Sequence, residues 1–163
     1  MRIVFASDHA GYALKEALKP FVESLGYEIE DKGAFTLDED DDYVPFIQAA
    51  AAAVSADPEN VRGVVLGGSG MGEAMVSNRF KGVRCAVFYT PALPPGAADI
   101  EGRMSSDPLE IIKLTREHND ANMISLGSRF LTKKQAQEAV EKFLATPFSG
   151  AERHLRRVRM IDE

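Results

Sequence analysis

The sequence predicts an α/β fold, a three-layer α/β/α sandwich in which helices cover both faces of a five-stranded parallel sheet. Short apolar segments alternate along the chain with longer segments that carry apolar residues at helical spacing. The apolar segments are mostly continuous, which is typical of strands buried on both faces. Alternation of this kind favours a parallel sheet between two layers of helices.

Each predicted strand has its own apolar pattern. Segments 3–6, 64–66 and 123–126 are short and apolar, and segment 84–89 contains the run Cys85-Ala86-Val87-Phe88. Segment 27–31 alternates between apolar and polar residues, which is typical of an exposed strand. We therefore expect the second strand to lie at an edge of the sheet.

The predicted helices follow the strands in turn. Segment 12–25 carries Leu14, Leu18, Phe21 and Leu25 at helical spacing, and segment 43–55 is rich in alanine. Segments 73–79 and 109–118 are shorter. Segment 133–144 is strongly amphipathic, and residues 148–163 are predicted to form a C-terminal helical arm.

Composition limits the classes of function. The chain has 163 residues, which suits a single domain over 1–163, and its net charge of −6 disfavours nucleic-acid binding. It has a single cysteine, which fits a reducing compartment. No apolar stretch is long enough to cross a membrane, and a strand begins at Arg2 with no room for a signal peptide. The sequence therefore predicts a cytoplasmic protein.

Two segments depart from the alternation. The acidic run 38–42 is interpreted as a solvated loop, with a metal site as the less favoured alternative. Segment 91–108 is rich in proline and too short for a domain. It leaves the carboxyl end of the fourth strand, so we expect a loop near the site. Such a loop would act either as a lid over the ligand or as a wall that selects the substrate by its shape.

The run Gly67-Gly68-Ser69-Gly70-Met71-Gly72-Glu73 is the most informative segment. Its glycines let the backbone turn tightly and approach a ligand, and it opens a helix whose free N–H groups favour anions. A carboxylate suits proton transfer better than anion binding, so Glu73 is a candidate base. The run does not match the phosphate-binding pattern of nucleotide-binding loops.

Other candidate residues follow the remaining strands. Ligands of open parallel sheets bind beyond the carboxyl ends of the strands, where Asp8-His9 and Arg129 are expected. Asp8 also suits a helix N-cap, and Arg129 suits a plain turn. His118 suits an ordinary helix C-terminus and becomes a catalytic candidate only if that end approaches this edge.

The C-terminal basic segment and the cysteine have two interpretations each. Arg153 and Arg157 lie four residues apart and share a helical face, so they form either a solvated helix or a clamp for phosphate. Cys85 lies within an apolar strand, which favours core packing over a nucleophile.

Together these segments resemble the ribose-5-phosphate isomerase B family, which includes the galactose-6-phosphate isomerase subunits. The resemblance spans nearly the whole chain in order, and its pieces are 7–15, 42–43, 67–73, 78–79 with 82–84, 116–122, 126–129 and 153–158. One form of this family has a catalytic cysteine at the start of the glycine loop, and the other has a glutamate at its end. Gly67 and Glu73 match the glutamate form.

The resemblance implies a Rossmann-like or flavodoxin-like fold and the interconversion of an aldose phosphate with a ketose phosphate, without a metal or a cofactor. It implies that Glu73 moves the proton between C1 and C2, that Ser69 and the loop amides stabilise the enediolate, and that Asp8 and His118 assist ring opening. The residues implied to bind substrate are His9, Gly68, Gly70, Met71, Gly72, Asn119 and Tyr43. Those implied to bind its phosphate are Arg129, Arg153 and Arg157, together with His9.

The resemblance also implies a homodimer whose sites combine both subunits, and in some members a tetramer. The expected ligand is a small phosphorylated sugar, with ribose 5-phosphate foremost. The sequence departs from the family at segment 91–108, at Met71 and in the spacing after Tyr43. These departures leave open another sugar phosphate, such as a hexose phosphate. A non-catalytic sugar-phosphate-binding protein and a flavin or nucleotide binder are further alternatives.

Overall fold

The computed structural model describes all 163 residues and confirms the predicted alternation of strands and helices. The strands are β1 (Arg2–Ser7), β2 (Glu28–Asp31), β3 (Val61–Gly67), β4 (Cys85–Phe88) and β5 (Met123–Gly127). The helices are α1 (His9–Ser24), α2 (Tyr43–Ala56), α3 (Met71–Ser77), α4 (Glu110–Asn119), α5 (Lys133–Ala145) and α6 (Glu152–Asp162).

The five strands form one sheet in the order β2-β1-β3-β5-β4, and every neighbouring pair is parallel. The alternating strand β2 lies at an edge, as its pattern predicts. From β1 the chain crosses to β2 on one side and then returns to β3 on the other. The carboxyl ends of β1 and β3 therefore border a topological switch point, where ligands of such sheets bind.

Helices cover both faces of the sheet. On one face α1, α4 and α5 bury a core that includes Phe5, Leu66 and Phe143, and on the other face α2 and α3 bury a smaller core that includes Val65 and Ile47. The three layers confirm the predicted fold class. The rigid sheet holds the ends of β1, β3 and β5 side by side.

The arm α6 packs against α4 rather than against the sheet. His154, on its first turn, is 7% exposed, and Asp162, near its end, pairs with Arg84 Nη1 at 2.7 Å. No helix of the chain has the length and apolar character that crossing a membrane requires.

Candidate active site

A pocket of about 420 Å³ opens at the carboxyl edge of the sheet, and we call it the rim pocket. The ends of β1, β3 and β5 and the start of α2 supply its walls. Its lining residues are Asp8, His9, Ala10, Tyr43, Gly68, Ser69, Gly72, Glu73, Arg129 and Phe130. The predicted convergence of polar groups at this edge is thus present in a single chain.

The glycine loop shapes one wall of the rim pocket. Gly70 adopts a left-handed conformation with φ of 78°, which glycine tolerates without strain, and this turn starts α3. Ser125 Oγ donates a 2.6 Å hydrogen bond to the Gly70 carbonyl and ties the loop to β5. Ser69 Oγ accepts a hydrogen bond of 3.3 Å from the Met71 amide. The loop is therefore held in place by its own contacts.

Glu73 follows in the first turn of α3 and is only 4% exposed. Burial raises the pKa of this carboxyl above its ordinary value, and the nearby Asp8 carboxylate raises it further. A buried carboxylate with a raised pKa is a stronger base when ionised.

The position of Gly67 explains how the loop accommodates Glu73. A Cβ atom on Gly67 would overlap the Glu73 carboxylate, with Oε1 as its nearest neighbour. The space for a side chain at position 67 is therefore the space that Glu73 fills. A cysteine at the start of the loop and a glutamate at its end would compete for one volume.

Asp8 and His9 enter the pocket from the end of β1. Asp8 is 7% exposed, and its Oδ1 accepts a 3.0 Å hydrogen bond from the Gly11 amide, so it caps α1 as the N-cap interpretation predicts. Capping occupies one carboxylate oxygen and leaves Oδ2 for the pocket. The His9 ring bonds through Nδ1 to Asp41 Oδ1 at 2.7 Å.

Arg129 and Tyr43 lie against the glycine loop. The Arg129 amide donates to the Gly68 carbonyl at 3.1 Å, and a Cβ on Gly68 would be 3.3 Å from Arg129 Nε. A Cβ on Gly72 would lie 2.8 Å from the Tyr43 hydroxyl oxygen. One cation and one hydroxyl thus border the loop on different sides.

One pocket residue, Phe130, and one residue that contacts the pocket, Asp41, were not predicted from the sequence. Phe130 lines the pocket with a ring that is 62% exposed and packs edge-on against Tyr89. Asp41 belongs to the acidic run that was interpreted as a solvated loop, yet it bonds to His9. Asp8, His9 and Asp41 bring possible metal-ligand atoms within 4.8 Å of one another. Their helix cap and ion pair already account for this proximity.

The remaining predicted residues lie at the opposite edge of the sheet. Helix α4 runs back towards the amino end of β5, and Arg84, just before β4, donates through Nε to the carbonyls of Asn119 and Asp120 at 3.1 and 3.0 Å. His118 and Asn119 therefore lie near the amino ends of the strands. A helix between parallel strands ends at the opposite edge, so within one chain His118 does not meet the condition set for a catalytic role at the carboxyl edge.

His118, Asn119, Arg153, His154 and Arg157 form a group that we call the α4–α6 cluster. The rings of His118 and His154 face each other with centroids 4.2 Å apart, and Ser149 Oγ lies 2.9 Å from His154 Nδ1. Burial lowers the pKa of His154, and the neighbouring cationic groups lower it further. The cluster gathers positive groups but has no residue placed like Glu73.

Segment 91–108 packs along β4 and α4 instead of lining the rim pocket. Arg103 pairs with Asp99 within the segment and with Glu110 and Glu117 of α4, at 2.9 to 3.0 Å. Glu101 reaches Arg153 Nη1 at 3.4 Å. The segment therefore borders the α4–α6 cluster. It can affect substrate binding only if that cluster takes part in a site.

Cys85 is the first residue of β4 and is half-buried. Burial raises the pKa of its thiol to about 12. Only the thiolate is a nucleophile, so a thiol of this kind is unreactive near neutral pH. The interpretation as a packing residue fits this environment.

Fold and pocket together define a parallel α/β protein with a buried carboxylate beside a glycine-rich loop. The chain belongs to the Ribose/Galactose Isomerase family, whose model matches residues 3–94 and 106–161. Residues 95–105, which the family model does not match, lie inside segment 91–108, where the sequence analysis places a departure from the family.

Named relatives resemble the chain over its full length. It is 39% identical to ribose-5-phosphate isomerase B of Mycolicibacterium paratuberculosis, with coverage of 100% of the chain and 91% of the relative. It is 38% identical to the enzyme of the same name from Mycobacterium tuberculosis, with 100% and 89% covered.

Solved structures resemble it as well. Ribose-5-phosphate isomerase B of Mycoplasma genitalium, solved with bound ribulose 5-phosphate, superposes with a TM-score of 0.85 at 29% identity, covering 99% of this chain and 93% of that one. The Clostridium thermocellum ribose-5-phosphate isomerase B superposes with a TM-score of 0.82 at 33% identity, covering 99% and 95%.

Proposed function

We propose that this chain interconverts ribose 5-phosphate and ribulose 5-phosphate by proton transfer through an enediolate. The observation that carries the proposal is the buried carboxylate of Glu73 beside the glycine loop, in a pocket that also contains Asp8 and His9. The family match and the ribulose 5-phosphate bound to the Mycoplasma genitalium relative support the choice of substrate. This reaction belongs to pentose phosphate metabolism, and a single reduced cysteine fits the cytoplasm.

Glu73 acts as the base in this scheme. The hydrogen on C2 of the open-chain aldose is a weak acid, so its removal needs a base and stabilisation of the resulting charge. Glu73 takes the C2 proton and returns it to C1, while the hydroxyl proton moves from O2 to O1. The number of protons and electrons in the sugar stays the same, and no external oxidant is needed.

The glycine loop stabilises the enediolate. Gly68, Ser69 and Gly72 line the pocket, and in this scheme the amides of Gly68 to Gly72 and the Ser69 hydroxyl stabilise the oxygen on which negative charge develops. Ser125 and Arg129 hold this loop by hydrogen bonds to the carbonyls of Gly70 and Gly68. Because the donors are fixed before substrate binds, little reorganisation accompanies the reaction. Met71 and Tyr43 border the sugar in the same scheme.

Asp8 opens the sugar ring together with His118 of a second subunit. Asp8 keeps one carboxylate oxygen for the pocket while the other caps α1. His118 lies at the other edge of its own sheet, so only a second copy of the chain brings it to this pocket. Asn119 then contacts the sugar hydroxyls from the same helix end.

The phosphate binds between two subunits. His9 and Arg129 supply charge from the rim pocket, whereas Arg153 and Arg157 come from α6 of the second copy. The guanidinium of arginine matches phosphate through paired hydrogen bonds. We therefore propose a homodimer with two shared sites; a tetramer built from two such dimers satisfies the same requirement.

One observation keeps a second substrate open. Met71, 41% exposed, lies in the loop that borders the sugar in this scheme, and the family is named after galactose as well as ribose. The alternative is the same proton transfer on a hexose phosphate or another sugar phosphate. A protein that only binds sugar phosphates has no use for a buried ionised carboxylate, which costs folding stability.

An isomerase assay over a panel of aldose and ketose phosphates tests the proposal. We expect the highest kcat/KM with ribose 5-phosphate, and a turnover lower by at least about 10²-fold for the Glu73→Gln variant. A higher kcat/KM with a hexose phosphate would favour the alternative substrate. If the protein binds sugar phosphates but isomerises none of those in the panel, the proposed function is contradicted.

A further inference from the structure

Asp41 differs from its neighbours in the acidic run. Its side chain is 8% exposed, whereas Asp40 and Asp42 on either side are exposed to solvent. It lies in the connection between β2 and α2, directly before Asp42, which is the N-cap of α2. The run is therefore a solvated loop with one member turned inward.

The connection that carries Asp41 is anchored to the sheet. The Ser7 amide donates to the Gly33 carbonyl, and the Ala34 amide donates to the Ser7 carbonyl, each at 2.7 Å. The fully buried Lys15 ammonium donates to the Ala34 carbonyl at 2.7 Å and pairs with Asp31. These bonds fix the start of the connection beside the end of β1, and His9 begins α1 at that same end.

Asp41 Oδ1 accepts two hydrogen bonds from His9. The backbone amide of His9 donates at 3.1 Å and ring Nδ1 donates at 2.7 Å. An ionised carboxylate only accepts, so Nδ1 carries a proton whenever this bond forms. The bond leaves Nε2 as the ring nitrogen available to the rim pocket.

The charges around His9 favour its protonated form. Asp41 and Asp8 attract the imidazolium, while Arg129 opposes it. The hydrogen bond to Asp41 is the largest cause of the raised pKa of His9. Asp41 Oδ2 is buried without a hydrogen-bond partner, and the ion pair of Asp41 is with His9 alone. Glu73 and Tyr43 are the other titratable groups in the pocket.

We propose that Asp41 is a positioning residue that orients the His9 ring and keeps it charged, so that Nε2 donates a hydrogen bond to the phosphate of the substrate. The role rests on the proposed function, because it assigns the phosphate to this part of the pocket. With a neutral ring protonated on Nδ1, Nε2 would present a lone pair to the phosphate and repel it. Asp41 thus acts on binding through His9 and does not touch the sugar.

The test compares Asp41→Asn with Asp40→Asn, which removes the same charge from an exposed position of the same loop. In Asp41→Asn the KM for ribose 5-phosphate should rise on the order of tenfold at pH 7.5 or so, with kcat changed by less than about twofold. Asp40→Asn should keep both constants. Equal KM values in the two variants would overturn the proposal.

The pH dependence gives a readout that a loss of packing would not produce. A raised pKa keeps His9 charged to higher pH, and phosphate affinity falls as pH rises through that pKa. In Asp41→Asn the rise in KM should therefore begin at lower pH than in the wild-type protein. An unchanged pH profile, with only a uniform loss of activity, would show a structural role instead.

A measurement without turnover separates this inference from the proposed function. The His9 ring titration, followed by NMR in the substrate-free protein and assigned with His9→Asn, should move to lower pH in Asp41→Asn but not in Asp40→Asn. Inorganic phosphate should bind more weakly to Asp41→Asn. These outcomes stand or fall even if the wild-type protein isomerises no sugar.

Discussion

In the proposed reaction, the rim pocket and the α4–α6 cluster supply complementary groups. The rim pocket has a buried base, a fixed loop of amides and a capped aspartate, but its only exposed arginine is Arg129. The α4–α6 cluster has two facing histidines with Arg153 and Arg157, but no buried carboxylate in that arrangement. Within one chain they lie at opposite edges of the sheet, so the proposed reaction needs a second chain.

The two regions also differ in how firmly the fold holds their residues. Rim-pocket residues follow directly from the ends of sheet strands, and backbone hydrogen bonds between Ser128 and Gly67 and between Arg129 and Gly68 join two of those ends. The cluster residues lie on α6, a peripheral helix, and at the end of α4, against which α6 packs. Catalysis needs its base and charge-stabilising groups fixed within fractions of an ångström, whereas a phosphate tolerates longer side chains. We therefore expect larger kinetic effects from changes in the rim pocket.

The largest effect is expected from Glu73→Gln. Loss of the base should lower kcat by at least about 10²-fold. In the wild-type protein kcat should fall as pH falls through the raised pKa of Glu73, because protonation removes the base. The rate profile and the variant together identify the group.

Stability provides the control for that variant. As pH rises, an unfolded Glu73 ionises before the folded one, so its raised pKa lowers stability through that range and leaves a constant penalty at neutral pH. Glutamine carries no such penalty, so Glu73→Gln should unfold at an equal or higher denaturant concentration at pH 7 or so. A destabilised variant would mean that its low activity reflects misfolding.

A smaller effect is expected from Gly67→Ala. The added methyl overlaps the Glu73 carboxylate and should move the base, lowering kcat on the order of 30-fold. Gly96→Ala is the matched control, since a Cβ there meets nothing within 4 Å. Wild-type kcat in Gly67→Ala would show that the base is not where the structure has it.

The smallest effect is expected from a substitution in the α4–α6 cluster, and it should change KM. Arg157→Ala should raise the KM for ribose 5-phosphate roughly tenfold and leave kcat nearly unchanged, because a phosphate contact contributes to substrate binding. Arg156→Ala removes an exposed arginine from the next position of α6 and should leave KM unchanged. Equal KM values for both variants would remove Arg157 from the phosphate site.

The sequence predicted the fold and half of the site for physical reasons. Apolar periodicity reports burial, so each strand and helix, including the exposed edge strand β2, could be predicted locally. Residues directly after parallel strands must share one edge, which brought Asp8, Glu73 and Arg129 together. The same rule places the C-terminus of α4 at the other edge, so the position of His118 followed from the topology as well.

Other features had no local signal. Nothing in the run 38–42 marks Asp41 as the acid that turns inward, because that depends on how the anchored connection passes the end of β1. The exposed Phe130 follows Arg129 without a pattern of its own. The overlap of a Gly67 side chain with Glu73 is a matter of distance between two turns, which spacing along the chain does not reveal.

Mixing two impaired chains tests the central claim that the rim pocket of one chain works with the α4–α6 cluster of another. Glu73→Gln lacks the proposed base of the rim pocket, and the double variant Arg153→Ala with Arg157→Ala lacks the proposed phosphate contacts of the cluster. When equal amounts of the two variants pair at random, about half of the dimers are mixed, and each mixed dimer has one intact site out of two. At substrate concentrations below KM the mixture should regain about a quarter of wild-type activity. Activity no greater than that of the two variants measured separately would contradict the shared site.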